Sequence, residues 1–214
     1  MISDPRMTDY LHSLESGQGC LLDEIEKKAV RDRIPIIRRE TAALLRTLIY
    51  ASKPGKILEI GTAVGYSALM MCQAMPQNGR IVTIEKYEKR IEEARKNFLR
   101  AGVGEKITLM EGDADHILDT LSHQHFDLIF MDAAKGQYIH WLPWLLRLMR
   151  PGAVLVSDNV LQEGDIIESR YAVERRNRTI HSRMREYLYT LKHMDELETA
   201  ILPVGDGVAV STRR

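Results

Sequence analysis

The chain has 214 residues, of which 44% are hydrophobic and 28% charged, and its 30 basic and 30 acidic side chains cancel. This composition is average for a globular domain and is not typical of disordered or membrane-spanning chains. The zero net charge also lacks the strongly basic balance of many nucleic-acid binders, so any such surface must be local. The length suits a single domain over residues 1–214.

No apolar run approaches the ~20 residues that a bilayer span requires, and residues 1–6 contain no apolar leader. Cys20 and Cys72 lie outside any zinc-ligand spacing and are interpreted as reduced thiols. We therefore expect a cytoplasmic protein that binds neither membranes nor DNA.

Residues 1–52 are predicted to form a helical prelude, because apolar residues recur at three- and four-residue spacing, with breaks at residues 17–19 and Pro35. From Lys56 onward, short β-branched runs alternate with amphipathic helices, and strands joined by helical crossovers imply a parallel sheet. The predicted parallel strands are residues 56–60, 80–85, 106–111, 126–131 and 153–157. Two last runs, 199–204 and 207–212, flank a short turn and predict an antiparallel hairpin.

A polar, arginine-rich insertion, residues 161–185, separates the fifth strand from this hairpin. Its basic side chains could follow a phosphate backbone despite the neutral total charge. The alternative is a solvated helix face with internal ion pairs. The arginines are Arg170, Arg175, Arg176, Arg178, Arg183 and Arg185.

A glycine-containing turn follows the first strand, within residues 57–67. Gly61 and Gly65 let the backbone approach a ligand, and the helix after them offers free N–H groups. The next strand ends at Glu85, 20 residues after Gly65 (85 − 65), where doubly wound nucleotide folds place the acid that binds ribose hydroxyls. Asp113, after the third strand, is placed to accept from an adenine amino group. The spacing is not Gly-x-Gly-x-x-Gly, which argues against an NAD enzyme.

Two more strand ends carry metal-ligand chemistry, with Asp132 after the fourth strand and Asp158-Asn159 after the fifth. Because parallel strands end at one crevice, these side chains can converge although 26 positions separate the aspartates (158 − 132). Two carboxylates and an amide oxygen form a hard ligand set that suits Mg²⁺. We predict a divalent-metal site at Asp132, Asp158 and Asn159.

With these motifs the chain resembles the cation-dependent O-methyltransferase family that includes the catechol and caffeoyl-coenzyme A enzymes. The resemblance runs from about Pro35 to the C-terminus. The stretches that carry it are Leu58-Glu59-Ile60-Gly61-Thr62, Gly65-Tyr66-Ser67, Asp132-Ala133-Ala134-Lys135 and Asp158-Asn159. It implies an α/β fold with a doubly wound, seven-stranded, mostly parallel sheet of the Rossmann-like class I methyltransferases, preceded by N-terminal helices. It also implies a homodimer, with those helices as candidate interface.

The resemblance further implies S-adenosylmethionine as methyl donor and a divalent metal ion, Mg²⁺ or a similar cation, on the predicted ligands. A neutral hydroxyl is a poor nucleophile, so a metal that lowers its pKa and a base that removes its proton are both useful. Lys135, with Asp132 beside it, matches the catalytic position, although a surface charge is the alternative for Lys135. The residues implied to contact the cofactor are Ile37, Glu59, Gly61, Ser67, Glu85, Asp113, Ala114 and Asp132.

A closer resemblance concerns the bacterial tRNA 5-hydroxyuridine methyltransferases, through residues 132–138, 158–161 and 203–207. It implies the tRNA anticodon region as partner and a wobble 5-hydroxyuridine as acceptor, which would become 5-methoxyuridine. The O5 and O4 atoms of this base lie on neighbouring carbons, so they can chelate a metal as a catechol does. Arg175, Arg176 and Arg178 are then the predicted phosphate contacts.

Three other functions remain open from the sequence. A small catechol-like or caffeoyl-type acceptor would use the same active-site motifs, since only the insertion argues for RNA. An NAD dehydrogenase would leave the predicted metal ligands without a role. A non-catalytic RNA-binding module would not need Lys135 beside a metal site.

Overall fold

A computed structural model describes residues 4–214, and residues 1–3, part of the predicted leaderless start, lie outside the described residues. The helices of the described part are α1 Pro5–Ser13, α2 Cys20–Arg31, α3 Arg39–Ser52, α4 Tyr66–Ala74, α5 Glu88–Arg100, α6 Ala114–Thr120, α7 Tyr138–Leu148 and α8 Arg178–His193. The strands are β1 Lys56–Ile60, β2 Arg80–Glu85, β3 Ile107–Glu111, β4 Phe126–Met131, β5 Met149–Ser157, β6 Leu197–Leu202 and β7 Val208–Arg213.

The seven strands form one sheet in the order β3-β2-β1-β4-β5-β7-β6, in which β7 runs in the direction opposite to the other six strands. This confirms the predicted doubly wound, mostly parallel sheet. The strand order reverses between β1 and β4, and such a switch point opens a crevice at the carboxyl ends of the strands. Both central strands are almost wholly buried, as expected for parallel strands covered on both faces.

Helices cover both faces of the sheet. On one face, Leu45 of α3 and Met71 of α4 pack against Ile57 in a cluster that also includes residues of α2 and α5. On the other, Leu145 of α7 and Tyr187 of α8 pack in a second cluster with α6. The helical prelude is confirmed, since α2 begins directly after the predicted break at residues 17–19 and α3 begins after Pro35. In the described residues, no helix is long and apolar enough to cross a membrane.

The structure corrects several predicted boundaries. β5 begins at Met149 instead of residue 153, because Met149 pairs with Phe126 ahead of an irregularity in the β4–β5 register. β3 begins one residue later than predicted, and the hairpin strands are displaced by one or two residues.

The arginine-rich insertion runs into α8, because residue 185 lies inside that helix. Buried residues along α8 recur three or four positions apart, at His181, Met184, Tyr187 and Leu191, and fix it against the sheet. The high arginine content of this stretch made the spacing of its buried residues hard to recognise in the sequence. The segment before α8 contains two short 3₁₀ turns, Gln162–Ile167 and Arg175–Asn177.

Candidate functional site

A crevice of about 210 Å³ opens at the carboxyl ends of β1, β2 and β3, and we call it the nucleotide crevice. Its lining residues are Ile60, Gly61, Ile84, Glu85, Lys86, Gly112, Asp113, Ala114, Ala133, Ala134, Gln137 and Trp141. It therefore brings together four of the predicted cofactor residues, which are Gly61, Glu85, Asp113 and Ala114. Trp141, which was not among the predicted site residues, adds an indole whose Nε1 donates to Asp115 Oδ1 at 2.5 Å.

The two glycines of the turn are required by the protein itself. A Cβ on Gly61, whose φ is +103°, would lie 2.1 Å from the carbonyl oxygen of Asp132. A Cβ on Gly65, whose φ is +82°, would lie 2.6 Å from a ring carbon of Phe98. The glycines thus allow β4 and α5 to pack closely against the turn, whereas the sequence attributed them to the approach of a ligand.

The two acids of the nucleotide crevice are held by backbone N–H groups. Glu85 accepts from the N–H groups of Ala63, Lys86 and Tyr87, each at 2.9 Å. Asp113 caps α6 by accepting from the Asp115 N–H at 3.1 Å. That hydrogen bond, together with the Lys86 ammonium, holds the pKa of Asp113 below its usual value. Both carboxylates are therefore held in fixed orientations.

Three predicted cofactor residues lie in the interior and do not line this crevice. Glu59 is fully buried on β1, where its oxygens accept hydrogen bonds from the Ser67 hydroxyl at 2.5 Å and from the Thr83 hydroxyl. Burial raises the pKa of Glu59 to about 7. Ile37 is 5% exposed and packs in the core beside α3. Their predicted cofactor contacts remain predictions.

The predicted metal ligands lie at the ends of the adjacent strands β4 and β5. Asp158 is 1% exposed, and its Oδ1 accepts from the Asn159 N–H at 2.7 Å. The Lys135 Nζ lies 4.0 Å from Asp132 Oδ1. Burial raises the pKa of Asp132. Burial and the nearby charge of Asp132 raise the pKa of Asp158 to about 7.

This donor set fits a divalent cation. Asp158 is buried and Asp132 is partly buried, so two carboxylates that repel each other here are costly to ionise, and a bound cation would offset that cost. Within residues 4–214, no group of three or more His, Cys, Asp or Glu side chains could hold a metal ion. A site here therefore needs the amide oxygen of Asn159 as well as Asp132 and Asp158, which is the set that the sequence predicted.

A buried tyrosine connects the two loops that carry the predicted metal ligands. The Tyr138 hydroxyl is fully buried, accepts from the Ala133 N–H at 3.2 Å, and lies 3.1 Å from the Met131 carbonyl oxygen and 3.4 Å from that of Asp158. It links the end of β4 to the end of β5. Nothing in the sequence distinguished it from other apolar positions of α7.

A second cavity, of about 220 Å³, adjoins the metal ligands, and we call it the acceptor pocket. It joins Lys135 and Asn159 to the insertion. Its lining residues are Lys135, Asn159, Gln162, Asp165, Val173, Asn177, Ile180 and Asp206. Ala134 lines the nucleotide crevice and the next residue, Lys135, lines this pocket, so the loop after β4 borders both cavities.

Two of the three predicted phosphate-binding arginines are engaged within the protein. Arg176 pairs with Glu174 at 2.7 Å. Arg178 donates to the carbonyl oxygens of Val173 and Tyr171, each at 3.2 Å. The Arg175 side chain makes no hydrogen bond or ion pair with any other residue in the described range. Contacts within the protein, one ion pair and two hydrogen bonds to backbone carbonyls, therefore occupy two of these three side chains.

A family model described as O-methyltransferase matches residues 12–214. The chain is 39% identical over 127 residues to a catechol O-methyltransferase of Niastella koreensis, covering 58% of each protein. It is 34% identical over 178 residues to caffeoyl-CoA O-methyltransferase 2 of Zea mays, covering 79% of this chain and 66% of the relative. The alignments thus span about three fifths to two thirds of these curated relatives.

Solved structures of O-methyltransferases share the fold of this chain. An O-methyltransferase from Bacillus cereus, crystallised in complex with SAH, superposes with a TM-score of 0.85 at 25% identity and with 96% of each chain covered. The seven-stranded sheet with flanking helices is therefore the Rossmann-like fold of the O-methyltransferases, as the resemblance implied.

Proposed function

The chain belongs to the O-methyltransferase family, and from this premise we propose that it methylates a small catechol-like acceptor with S-adenosylmethionine, assisted by a divalent cation. One observation carries the proposal. The loop after β4, residues 132–137, lines both the nucleotide crevice and the acceptor pocket. A donor in the first and an acceptor in the second would therefore lie beside the same loop, and methyl transfer requires that the two be held close together.

The nucleotide crevice suits the donor. Glu85 and Asp113 present fixed carboxylates to ribose hydroxyls and to an adenine amino group, while Ile84 and Trp141 offer apolar surface to the base. The Bacillus cereus relative, which binds SAH, supports the same cofactor for this chain.

Asp132, Asp158 and Asn159 would hold the cation, for which Mg²⁺ is the expected occupant. A cation there would supply electrostatic stabilisation of the acceptor oxyanion. An acceptor with two neighbouring oxygens suits a site with few protein ligands, because it can fill two remaining positions. The two curated relatives, a catechol and a caffeoyl-CoA enzyme, support an acceptor of this class.

Lys135 acts as the general base that accepts the proton of the acceptor hydroxyl in this proposal. Its side chain is 35% exposed and borders the acceptor pocket, so the Nζ atom can reach a hydroxyl placed there. The neutral amine form of Lys135 takes the hydroxyl proton on Nζ, the oxygen forms a bond to the methyl carbon, and the sulfur–methyl bond breaks with its electron pair left on sulfur. A methyl ether and S-adenosylhomocysteine are the products.

A 5-hydroxyuridine in the tRNA wobble position is the second candidate acceptor, and one feature favours it. The insertion forms one wall of the acceptor pocket and carries the exposed side chains of Ile167 and Tyr171, each 81% exposed, and the unengaged Arg175. Such a rim offers a ring for stacking and a cation for phosphate. The O5 atom of the base would take the place of a catechol oxygen.

The test is methyl transfer by the purified full chain, followed by mass spectrometry, with catechol, caffeic acid and 5-hydroxyuridine-containing tRNA as separate acceptors. We expect a mono-methyl ether of the diols in the presence of Mg²⁺ and none after chelation. Undiminished methylation after complete, verified removal of metal would disprove the cation's role. Methylation of tRNA without any diol product would replace the small acceptor with the second candidate.

A further inference from the structure

We propose that Asp206 is a positioning residue of the metal site, which holds the Asn159 amide in the orientation that a metal ligand needs and is itself held by Arg38. The proposal rests on the proposed function, because it takes Asn159 as a ligand. Asp206 lies in the turn between β6 and β7, 47 residues from Asn159, and was not among the predicted site residues.

The two oxygens of Asp206 have different partners. Asn159 donates from Nδ2 to Asp206 Oδ2 at 3.3 Å. The Arg38 guanidinium lies 2.8 Å from Asp206 Oδ1. The Asp206 side chain is only 15% exposed, so little water competes for these contacts. The carboxylate is therefore fixed between a cation and the amide.

The contact with Asn159 determines which end of the amide is available to a cation. An amide side chain has an accepting oxygen and a donating NH₂ group, and only the oxygen can bind a metal. An ionised carboxylate only accepts, so Asp206 binds the NH₂ end and leaves Asn159 Oδ1 for the cation. Partners of this kind, behind the ligands themselves, commonly change metal affinity about 10- to 100-fold when removed.

The backbone keeps Asp206 beside Asn159 independently of its side chain. The N–H groups of Val160 and Leu161 donate to the carbonyl oxygens of Gly207 and Asp206 at 2.9 and 3.0 Å. At Gly207, whose φ is +88°, an added Cβ would lie 2.3 Å from Leu161 Cγ. The turn is thus packed closely on the loop after β5, and side-chain substitutions at 206 should leave this packing intact.

Arg38 extends the contact to another part of the chain. It precedes α3 and also pairs with Glu163 at 2.9 Å. Through Asp206, the segment before α3 is therefore connected to a metal ligand that follows β5. Because both oxygens of Asp206 are engaged, and no group of three acids in residues 4–214 could hold a metal, Asp206 acts through Asn159 and not as a ligand.

The experiment measures Mn²⁺ binding to the full chain by titration calorimetry and electron paramagnetic resonance, with no acceptor present. Asp206→Ala should weaken Mn²⁺ binding about 10- to 100-fold, while S-adenosylmethionine affinity and the melting temperature stay close to those of the wild type. Asp206→Asn should retain more Mn²⁺ affinity than Asp206→Ala, because its amide oxygen can still accept from Asn159. Glu163→Gln is the matched control, since it removes the other carboxylate that pairs with Arg38 and keeps both Asp206 and Asn159, and it should bind Mn²⁺ normally.

Arg38→Gln separates positioning from simple charge. If Asp206 positions the amide, loss of Arg38 frees the carboxylate and weakens Mn²⁺ binding. If Asp206 acts only by its charge, loss of the neighbouring cation tightens Mn²⁺ binding, and the proposal is overturned. Equal losses in Asp206→Ala, Asp206→Asn and Asp158→Ala would also overturn it, by making Asp206 a ligand.

Asn159→Ala distinguishes this inference from the function on which it rests. Normal Mn²⁺ binding in Asn159→Ala would contradict the proposed metal site itself. Weakened binding in Asn159→Ala with unchanged binding in Asp206→Ala would contradict the positioning role alone.

Discussion

The acids at the two cavities differ in their surroundings, since those of the nucleotide crevice accept backbone hydrogen bonds and those beside the acceptor pocket are desolvated by burial. In the nucleotide crevice, Glu85 accepts from three backbone N–H groups, and a backbone N–H with a lysine lowers the pKa of Asp113. At the metal end, burial raises the pKa values of Asp132 and Asp158. The acids of the first cavity are oriented by the folded polypeptide, whereas burial opposes the ionisation of the acids at the second, which a bound cation would favour.

This difference separates the effects expected from mutation. Changes in the nucleotide crevice remove contacts from a site that is already oriented, so they should act on cofactor affinity. Changes at the predicted metal ligands should act on turnover and on metal binding. In the metal-free protein, removing one of these carboxylates can also remove the energetic cost of burying it in ionised form. The predictions below test that division.

The largest effect is expected for Asp158→Ala. Loss of this carboxylate should lower turnover at least about 100-fold, the scale seen when a group that stabilises a developing charge is removed. S-adenosylmethionine affinity should be unchanged, and the metal-free variant should melt no lower than the wild type, because a buried acid with a raised pKa is gone. Product assays, calorimetry and thermal melts measure the three quantities, with the exposed Asp119→Ala as control. A parallel loss of cofactor affinity would contradict the division.

Lys135→Ala should lower turnover about 100-fold, within the range of general acid–base catalysis, with little effect on cofactor affinity. Raising the pH should recover part of the rate, because more of the acceptor hydroxyl ionises without help. The measurement is kcat against pH for both proteins. Identical profiles would reduce Lys135 to a surface charge and leave activation to the cation.

Glu85→Ala should weaken S-adenosylmethionine binding about 10- to 100-fold, since hydrogen bonds to a charged group contribute about 1.5–3 kcal/mol. Mn²⁺ affinity should be unaffected, because Glu85 lies at the other cavity. Calorimetric titrations of both ligands check the result, and Glu85→Gln, which keeps one accepting oxygen, should lie between alanine and wild type. Unchanged cofactor affinity would exclude Glu85 as the ribose contact.

Residues at strand ends were predictable because the alternation of strands and helices fixes a parallel sheet, and a parallel sheet brings its carboxyl ends to one edge. Glu85, Asp132 and Asp158 follow from that rule alone. Asp206 and Arg38 do not, since they come from a hairpin turn and from the segment before α3. Their approach to Asn159 depends on tertiary packing that no local pattern encodes. Periodicity could have placed α8, but the arginine-rich composition obscured its buried positions.

Glu59→Gln tests the raised pKa of an acid in the interior, through its effect on stability. Burial raises the pKa of Glu59 from 4.5 to about 7, so the folded protein keeps this proton where the unfolded chain loses it. The contribution to stability is complete below about pH 4.5 and is lost as pH rises through about 7, a change of roughly 3 kcal/mol. Denaturant unfolding of both proteins between pH 4 and 8 should show a smaller decline in Glu59→Gln. Equal declines would mean that Glu59 titrates normally.

The smallest effect is expected on the rim of the acceptor pocket, and it depends on tRNA being the acceptor. The sequence assigned phosphate contacts to Arg175, Arg176 and Arg178, but only Arg175 is unengaged within the described residues. Each phosphate contact contributes close to one unit to the slope of log affinity against log salt. Arg175→Ala should therefore reduce the magnitude of that slope by about 1, and the triple alanine variant should reduce it little further. Filter binding of tRNA across salt concentrations measures both slopes. A loss of about 3 in the triple variant would show that Arg176 and Arg178 leave their internal partners to bind RNA, and no change in either variant would place the RNA elsewhere or favour the small acceptor.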